Sequence, residues 1–158
     1  MIPGWLLIVV AVIAVVAVVG MWLSGLANRL NRLHIRTDSA RINLDGELRA
    51  RAGVVAALRP DLSPEAGRTT AGALRASDMD ARSEVENLLL RELGDDDRRN
   101  PAFIEASTKV DLAGRFYNDA VGDTRDVRGR PVVRLFRLAG NAPLPEYYEA
   151  LSAGDVGL

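Results

Sequence analysis

The sequence predicts an all-α protein, in which an N-terminal transmembrane helix continues into an antiparallel helical bundle of three to four long helices. Three observations support this fold class. A run of uncharged residues opens the chain, apolar residues then recur every three or four positions, and no strand–turn–strand signal occurs. We therefore expect a transmembrane anchor at 1–24, a helical domain at 25–150 and a flexible tail at 151–158.

The apolar run Ile2–Leu23 contains no charged residue. At 1.5 Å per residue it would span about 33 Å, enough to cross the hydrocarbon core of a bilayer. Trp5 and Trp22 lie near its two ends, where indole rings favour the headgroup region. A cleaved signal peptide is the alternative, but no basic residue precedes the run and its length exceeds that of a signal h-region. We expect a single-pass anchor in the plasma membrane.

Charge predicts the orientation of this anchor. No basic residue stands before the apolar run, whereas Arg29, Arg32, Arg36 and Arg41 follow it closely. Arginines next to a span stay on the cytoplasmic side. The expected arrangement therefore has the N-terminus outside and the helical domain in the cytoplasm.

Beyond the span, the apolar spacing predicts that the same helix continues as a stalk into the domain. The apolar face consists of Leu23, Leu26, Leu30, Leu33, Thr37, Ala40, Leu44, Leu48, Ala52, Val55 and Leu58. Such spacing places these residues on one side of a helix, with charged residues on the other. No proline occurs before Pro60, so we expect the helix to end there. Gly25 and Gly46 are its weak points.

Pro and Gly divide the remainder. Ser63 followed by proline predicts an N-cap and a second helical stretch, which resumes after Ser77 or Asp78. The sequence leaves open whether this stretch is one kinked helix or two. Asn100 followed by proline opens a third helix, which should end near Gly129. A short apolar piece, Val132–Gly140, then precedes the C-terminal PEYYEAL.

Composition excludes several functions. The chain has no Cys and one His, so disulfides, thiol catalysis and zinc–thiolate sites are absent and a serine nucleophile would have only His34 as a base. Net charge is −1, which gives no sign of a nucleic-acid partner. No glycine-rich phosphate loop occurs. We expect no cofactor, no metal site and no catalytic residue.

One stretch offers an enzymatic alternative. RELGDDD (Arg91–Asp97) is similar to part of the magnesium-binding Nudix box of nucleoside diphosphate hydrolases. That box also needs an upstream Glu and Gly, where this chain has Ser83 and Ser77. Gly94 would break the required helix, and a Nudix domain needs a mixed sheet. We expect the three aspartates to form a solvated loop.

The stretch GRFYNDAV (Gly114–Val121) places two aromatic residues beside an amide in a chain with 5% aromatic residues. Helical spacing puts Tyr117 on the bundle-facing stripe with Phe103 and Val110, where a buried hydroxyl needs a partner. Asn118 should pair with a charged group on a neighbouring helix. The candidates are Arg41, Asp45, Arg49, Arg51, Glu86 and Asn87. We predict a polar clamp that fixes helix register, formed by Tyr117, Asn118, Asp45, Arg49 and Arg51.

A basic group follows the third helix, comprising Arg125, Arg128, Arg130, Arg134 and Arg137. The favoured interpretation is that these arginines pair with Asp123, Asp126 and the aspartates of 95–97. The alternative is a surface for anionic lipid headgroups or an acidic partner.

These motifs together resemble the LemA family of membrane-anchored helical proteins. AGRFYNDAVGDTR (113–125) is similar to the family signature A-R-x-x-Y-N-x-x-V. In the first helix, Asp38, Ala40, Leu44, Asp45, Leu48, Arg49 and Arg51 are similar to A-x-x-x-I-D-x-x-L-x-R-R with its preceding Asp. VVRLFRLAGNAPLPEYYE (132–149) resembles the family's C-terminal motif.

The chain departs from the family where Thr124-Arg125 replace a second Tyr-Asn, and where Gly53-Val54-Val55 replace Leu-Ile-Pro-Asn. It therefore resembles a divergent, actinobacterial-type member. The resemblance implies a single-pass anchor and a bundle of long helices, and it implies no reaction.

The expected function is that of a membrane-anchored scaffold or adaptor, which acts through protein–protein contacts without catalysis. A protein partner in or at the membrane is expected, and self-association is left open. The alternatives are a Nudix-like hydrolase and a module that contacts anionic lipid.

Overall fold

The computed structural model describes residues 3–140 and 143–149. All regular elements among them are helical, which confirms the predicted all-α class. They are α1 (Gly4–Leu58), a 3₁₀ turn (Pro60–Leu62), α2 (Ser63–Thr69), α3 (Met79–Arg91), α4 (Asp95–Arg99), α5 (Pro101–Arg128) and α6 (Pro131–Leu135). Residues 143–149 follow as an extended stretch without regular structure, here called the closing segment. The expected tail at 151–158 lies outside the described residues.

Helix α1 is continuous over 55 residues. It joins the apolar run to the domain through Gly25 and Gly46, and it ends at Leu58 just before Pro60, as the periodicity predicted. The predicted stripe becomes buried only after the apolar run, from Leu30 onward. α1 is the one described helix long and apolar enough to cross a membrane, and none of its most apolar stretch is buried inside the protein.

The core lies between α1 and α5, which pack antiparallel. The basal cluster contains Leu30, Val127 and Val133. The middle cluster contains Leu44, Leu48, Leu74, Met79, Val110, Ala113, Tyr117, Val121 and Tyr148. The distal cluster contains Ala52, Val55, Ala66, Leu89, Leu90, Leu93 and Phe103. The three clusters follow one another along α1, so successive turns of α1 meet earlier and earlier turns of α5.

Hydroxyl groups join the two long helices between the basal and middle clusters. The Thr37 and Thr124 hydroxyls are 3.0 Å apart and buried, so one donates to the other. The Thr37 oxygen also lies 3.0 Å from the Leu33 carbonyl of its own helix and 3.2 Å from the Ala120 carbonyl of α5. The Thr37–Thr124 contact is a polar link between α1 and α5 inside the core.

The helices after α1 differ in detail from the expectation. Among the described residues only α1 and α5 are long, whereas three to four long helices were expected. The second stretch, for which the sequence left one kinked helix or two open, is two separate helices, α2 and α3. Asn100 caps α5 as predicted, since its side chain accepts from the Ala102 N–H. Ser63 lies inside α2, because the 3₁₀ turn before it already supplies the first carbonyls.

The predicted aspartate loop is also wrong, because residues 95–99 form the helical turn α4. Three acidic residues stand at its start, where the positive end of the helix dipole stabilises negative charge. Asp97 accepts from the Gly94 N–H at 3.1 Å and so caps the turn.

Candidate functional site

The closing segment is held on α5 by Asn118. The Asn118 amide donates to the Tyr148 carbonyl at 2.9 Å and accepts from the Tyr148 N–H at 2.8 Å. The Tyr117 hydroxyl donates to the Glu146 carbonyl at 2.9 Å. An extended segment without a neighbouring strand has free main-chain groups, and a side-chain amide has the donor and acceptor to satisfy both.

The same segment contacts α3 and the loop before it. The Glu146 N–H donates to the Ala76 carbonyl at 2.9 Å, and the Glu149 N–H donates to the Ser83 hydroxyl at 3.3 Å. Hydrogen bonds to α5 on one side and to α3 on the other make the closing segment a bridge between two helices that are far apart in sequence.

The Tyr148 ring packs closely against the glycine in α5. A Cβ on Gly114 would stand 3.2 Å from the Tyr148 Cδ1 atom, so the ring would have to move by a few tenths of an ångström. Tyr148 and Tyr117 are both buried in the middle cluster. Burial disfavours the phenolate and raises the pKa of each phenol to about 12.

A buried ion-pair network lies beside this cluster. Arg51 donates to one Glu86 oxygen at 3.2 Å and Arg82 donates to the other at 3.1 Å. Arg51 is 2% exposed and Glu86 1% exposed, so α1 and α3 share a charge pair that is buried away from bulk solvent. Removing one partner of such a pair would leave the other charge buried and uncompensated.

Arginines of α1 hold the loop between α2 and α3. Arg49 bonds the Asp45 carboxylate at 3.0 Å and donates to the carbonyls of Thr70 and Gly72. Arg41 donates to the Leu74 carbonyl. Carbonyl groups in a loop have no helical N–H to accept from, and these guanidinium groups provide the missing hydrogen-bond donors.

The structure divides the predicted clamp residues into three groups: Tyr117 and Asn118 bind the closing segment, Asp45 pairs with Arg49, and Arg51 pairs with Glu86. Tyr117 faces the core beside Val110 as predicted, whereas the expected partner of Asn118 is wrong. Its amide binds the main chain of Tyr148, while Arg51 and Glu86 pair with each other. A neutral amide matches a peptide group better than it matches a charge already compensated inside the core.

Two of the acids expected to pair with the basic group have other partners. Asp123 pairs with Arg36 at 2.6 Å and Asp97 pairs with Arg59 at 3.1 Å. Arg125 donates to the Pro145 carbonyl at 2.9 Å and lies 4.8 Å from the centre of the Tyr147 ring. Arg128 donates to the Pro143 carbonyl at 2.9 Å.

These two arginines therefore hold the closing segment. The remaining three members of the basic group, Arg130, Arg134 and Arg137, lie exposed around α6.

The acidic residues that the structure describes do not converge on a metal site. No group of three or more His, Asp or Glu side chains there could hold a metal ion. Asp97 is occupied by Arg59 and by the Gly94 N–H, and the described residues contain no strand of the mixed sheet that a Nudix domain needs. His34 is half-buried on the stalk.

Sequence reasoning missed Tyr148, Gly114 and Ser83. The available signal was the pair of tyrosines in PEYYE, since two aromatic residues near a polar end of the chain must bury against something. Gly114 in the buried stripe of α5 marked the space that one of them fills.

Within residues 3–140 and 143–149, the fold and its polar contacts define a helical bundle with one candidate membrane-spanning helix. Comparison with models of known protein families, with curated proteins and with solved structures gives no match.

Proposed function

We propose that this chain is a single-pass plasma-membrane protein whose helical domain is a non-catalytic scaffold for protein partners. The observation that carries the proposal is the continuity of α1 from Gly4 to Leu58. Its first part has an uncovered apolar surface, and its last part supplies the wall of the core. One rigid helix would therefore fix the position of the bundle above the bilayer.

The use of polar side chains supports a structural role. Asn118, Glu86 and Thr37 each join one element to another and have their hydrogen bonds inside the protein. Catalytic groups usually stand in a cleft with a perturbed pKa. Burial raises the pKa of Tyr117 and Tyr148 to about 12, and both of their rings pack in the core. Burial also raises the pKa of the half-buried Asp111 carboxyl on α5.

We further propose that the chain is a divergent LemA-like protein. The signature residues Tyr117 and Asn118 both bind the closing segment, which lies in the C-terminal stretch of the resemblance. A structural contact between the two matching motifs gives a physical reason for them to occur together. The N-terminus is proposed to lie outside, with the bundle in the cytoplasm.

Partner contact can be tested by photo-crosslinking in cells that produce the full chain. Several apolar side chains of the long helices are exposed within the domain, and three of them provide the labelling positions: Ile42 at 63%, Leu112 at 53% and Phe116 at 55%. A photoreactive residue at these positions should give discrete adducts, whereas one at the exposed, polar Asp119 should not. Absence of adducts at all three apolar positions would refute the scaffold, and an adduct of twice the chain mass would identify self-association.

Orientation and catalysis are tested separately. A reporter that is active only outside the cytoplasm, fused after Leu158, should stay silent. The purified full chain should neither bind magnesium tightly nor hydrolyse nucleoside diphosphates. Hydrolysis that disappears in Glu92→Gln but persists in Glu84→Gln, an exposed control on α3 outside the Nudix-like stretch, would replace the scaffold by the enzymatic alternative.

A further inference from the structure

The short helix α6 covers the lower part of the domain, where α1 enters it. Val133 is buried against Leu30 and Val127, and Leu26 and Leu33 pack around them. We call residues 130–139 the foot. Its contacts place it beside residues 26–33 of α1, immediately after the apolar run.

The foot is close to the expected membrane surface. Leu26 lies about 5 Å along the helix axis beyond Leu23, and Leu33 lies about 15 Å beyond it. The headgroup region of a bilayer extends about 5–8 Å beyond the hydrocarbon core. If Trp22 marks the edge of that core, the lower side of the foot reaches the headgroups.

Two large apolar side chains of the foot are left uncovered by the described residues. Leu135 is 77% exposed and Phe136 is 52% exposed, while Val133 on the same helix is 1% exposed. One face of the foot is thus used by the core, and the other presents a leucine and a phenylalanine to the surroundings.

The apolar pair stands among cations. Arg130, Arg134 and Arg137 are exposed, as are Arg29 and Arg32 on the adjacent part of α1. The described residues provide no hydrogen bond or ion pair to the side chains of these five arginines. The exposed acid nearest in sequence to Arg130 is Asp126. The next one, Asp123, is paired with Arg36.

Arg137 occupies a backbone position that favours glycine. It has φ +49° and ends α6 in a Schellman motif, with its N–H bonded to Arg134 and the Leu138 N–H bonded to Val133. The left-handed residue of that motif is usually glycine. The chain instead has a cation there, beside the exposed Phe136.

We propose that the foot binds the surface of an anionic bilayer. Leu135 and Phe136 enter the headgroup region, and Arg130, Arg134 and Arg137 bind lipid phosphates. This inference rests on the proposed membrane anchor. It gives the bundle a second attachment beside α1, so that tilt and rotation of the domain on the membrane are fixed.

Spin labelling of the full chain in vesicles tests the contact, and the absence of Cys allows single-site labels. A nitroxide on Leu135→Cys is compared with one on Leu88→Cys, which is 53% exposed on α3, and with one on Val12→Cys inside the apolar run. Vesicles contain phosphatidylcholine alone or mixed with phosphatidylglycerol. The measurement is the collision rate of each label with oxygen, which concentrates in lipid, relative to a water-soluble nickel complex.

In mixed vesicles the Leu135 label should have an oxygen-to-nickel ratio several-fold above that of Leu88, and high salt should lower it. A ratio equal to that of Leu88 overturns the foot. A ratio that rises only when an acidic protein is added assigns the surface to that protein and overturns it as well. Water-like accessibility at Val12 instead refutes the anchor, so the two failures are distinguishable.

A charge variant completes the test. Arg137→Gly removes a cation where the backbone prefers glycine, so loss of folding cannot explain its effect. In the Leu135→Cys background it should weaken docking to mixed vesicles about fivefold, the contribution of one arginine near an anionic surface. Docking to phosphatidylcholine should not change. Equal docking of the variant and the parent to mixed vesicles contradicts the role of the arginines.

Discussion

Replacing Asn118 by Ala should release the closing segment without unfolding the bundle. The Asn118 amide forms two hydrogen bonds with Tyr148, at 2.9 and 2.8 Å. A partly buried hydrogen bond contributes about 1 kcal/mol, so the loss is about 2 kcal/mol. Since 1.4 kcal/mol is a tenfold change in an equilibrium, the population with a released segment should rise about thirtyfold.

Hydrogen–deuterium exchange measures this population directly. The Tyr148 amide is protected by Asn118, so its exchange should accelerate about thirtyfold in Asn118→Ala, while amides in the middle of α5 should not change. The helical circular-dichroism signal should also stay constant, because residues 143–149 are not helical. Asn43→Ala is the matched control, since Asn43 is exposed on α1.

Two results would refute the reasoning. Unchanged exchange at Tyr148 would mean that Asn118 does not hold the segment. Equal acceleration at Tyr148 and in the core of α5 would mean that the segment and the bundle unfold together, so that the bridge is part of the cooperative core.

Four further outcomes follow from the same contacts. Glu86→Gln should lower the free energy of unfolding by about 3–5 kcal/mol, and the Tm with it, because Arg51 loses its buried counter-charge. Glu84→Gln, which changes an exposed residue of the same helix, should leave the Tm unchanged. Tyr117→Ala should cost about 3–5 kcal/mol as a cavity, whereas Tyr117→Phe loses only the bond to Glu146, about 1 kcal/mol; an unchanged melting curve for the alanine variant contradicts the clamp. Burial raises the pKa of Tyr117 and Tyr148 to about 12, so the unfolded chain loses these phenol protons at a lower pH than the folded chain. The free energy of unfolding should therefore fall as pH rises from about 10 to about 12. Chemical denaturation at each pH measures this fall, which should be smaller in Tyr117→Phe. Arg137→Gly should raise stability by about 1 kcal/mol, because it relieves a left-handed backbone, and a lower Tm would contradict the assigned turn.

Helix positions were predictable because they depend on local spacing. The stripe from Leu30 to Val55 lies on one uninterrupted helix of 55 residues, and the Asn100 cap with Pro101 specifies the start of α5. The inward orientation of Tyr117 follows from the same periodicity. These features need only the positions of residues along one helix.

Partners across the fold were not predictable in this way. Asn118 could have satisfied its amide with any of six polar side chains, and the sequence does not indicate that a main-chain segment 30 residues later would do so. The arginines of the basic group likewise have different surroundings, which depend on their position along the bundle. Arg125 and Arg128 reach the closing segment, and the next three arginines lie below it, on the foot.

The basic group contacts both ends of the chain stretch that follows α5, namely the foot and the closing segment. The closing segment returns from the foot along α5, and the arginines at the end of α5 bind its first carbonyls, those of Pro143 and Pro145. A foot held by lipid would restrain the start of this return, and the Asn118 contact restrains its end. Docking of the foot on a bilayer should therefore slow exchange at the Tyr148 amide, whereas a foot that contributes only to the basal cluster should leave that amide unaffected by the lipid present.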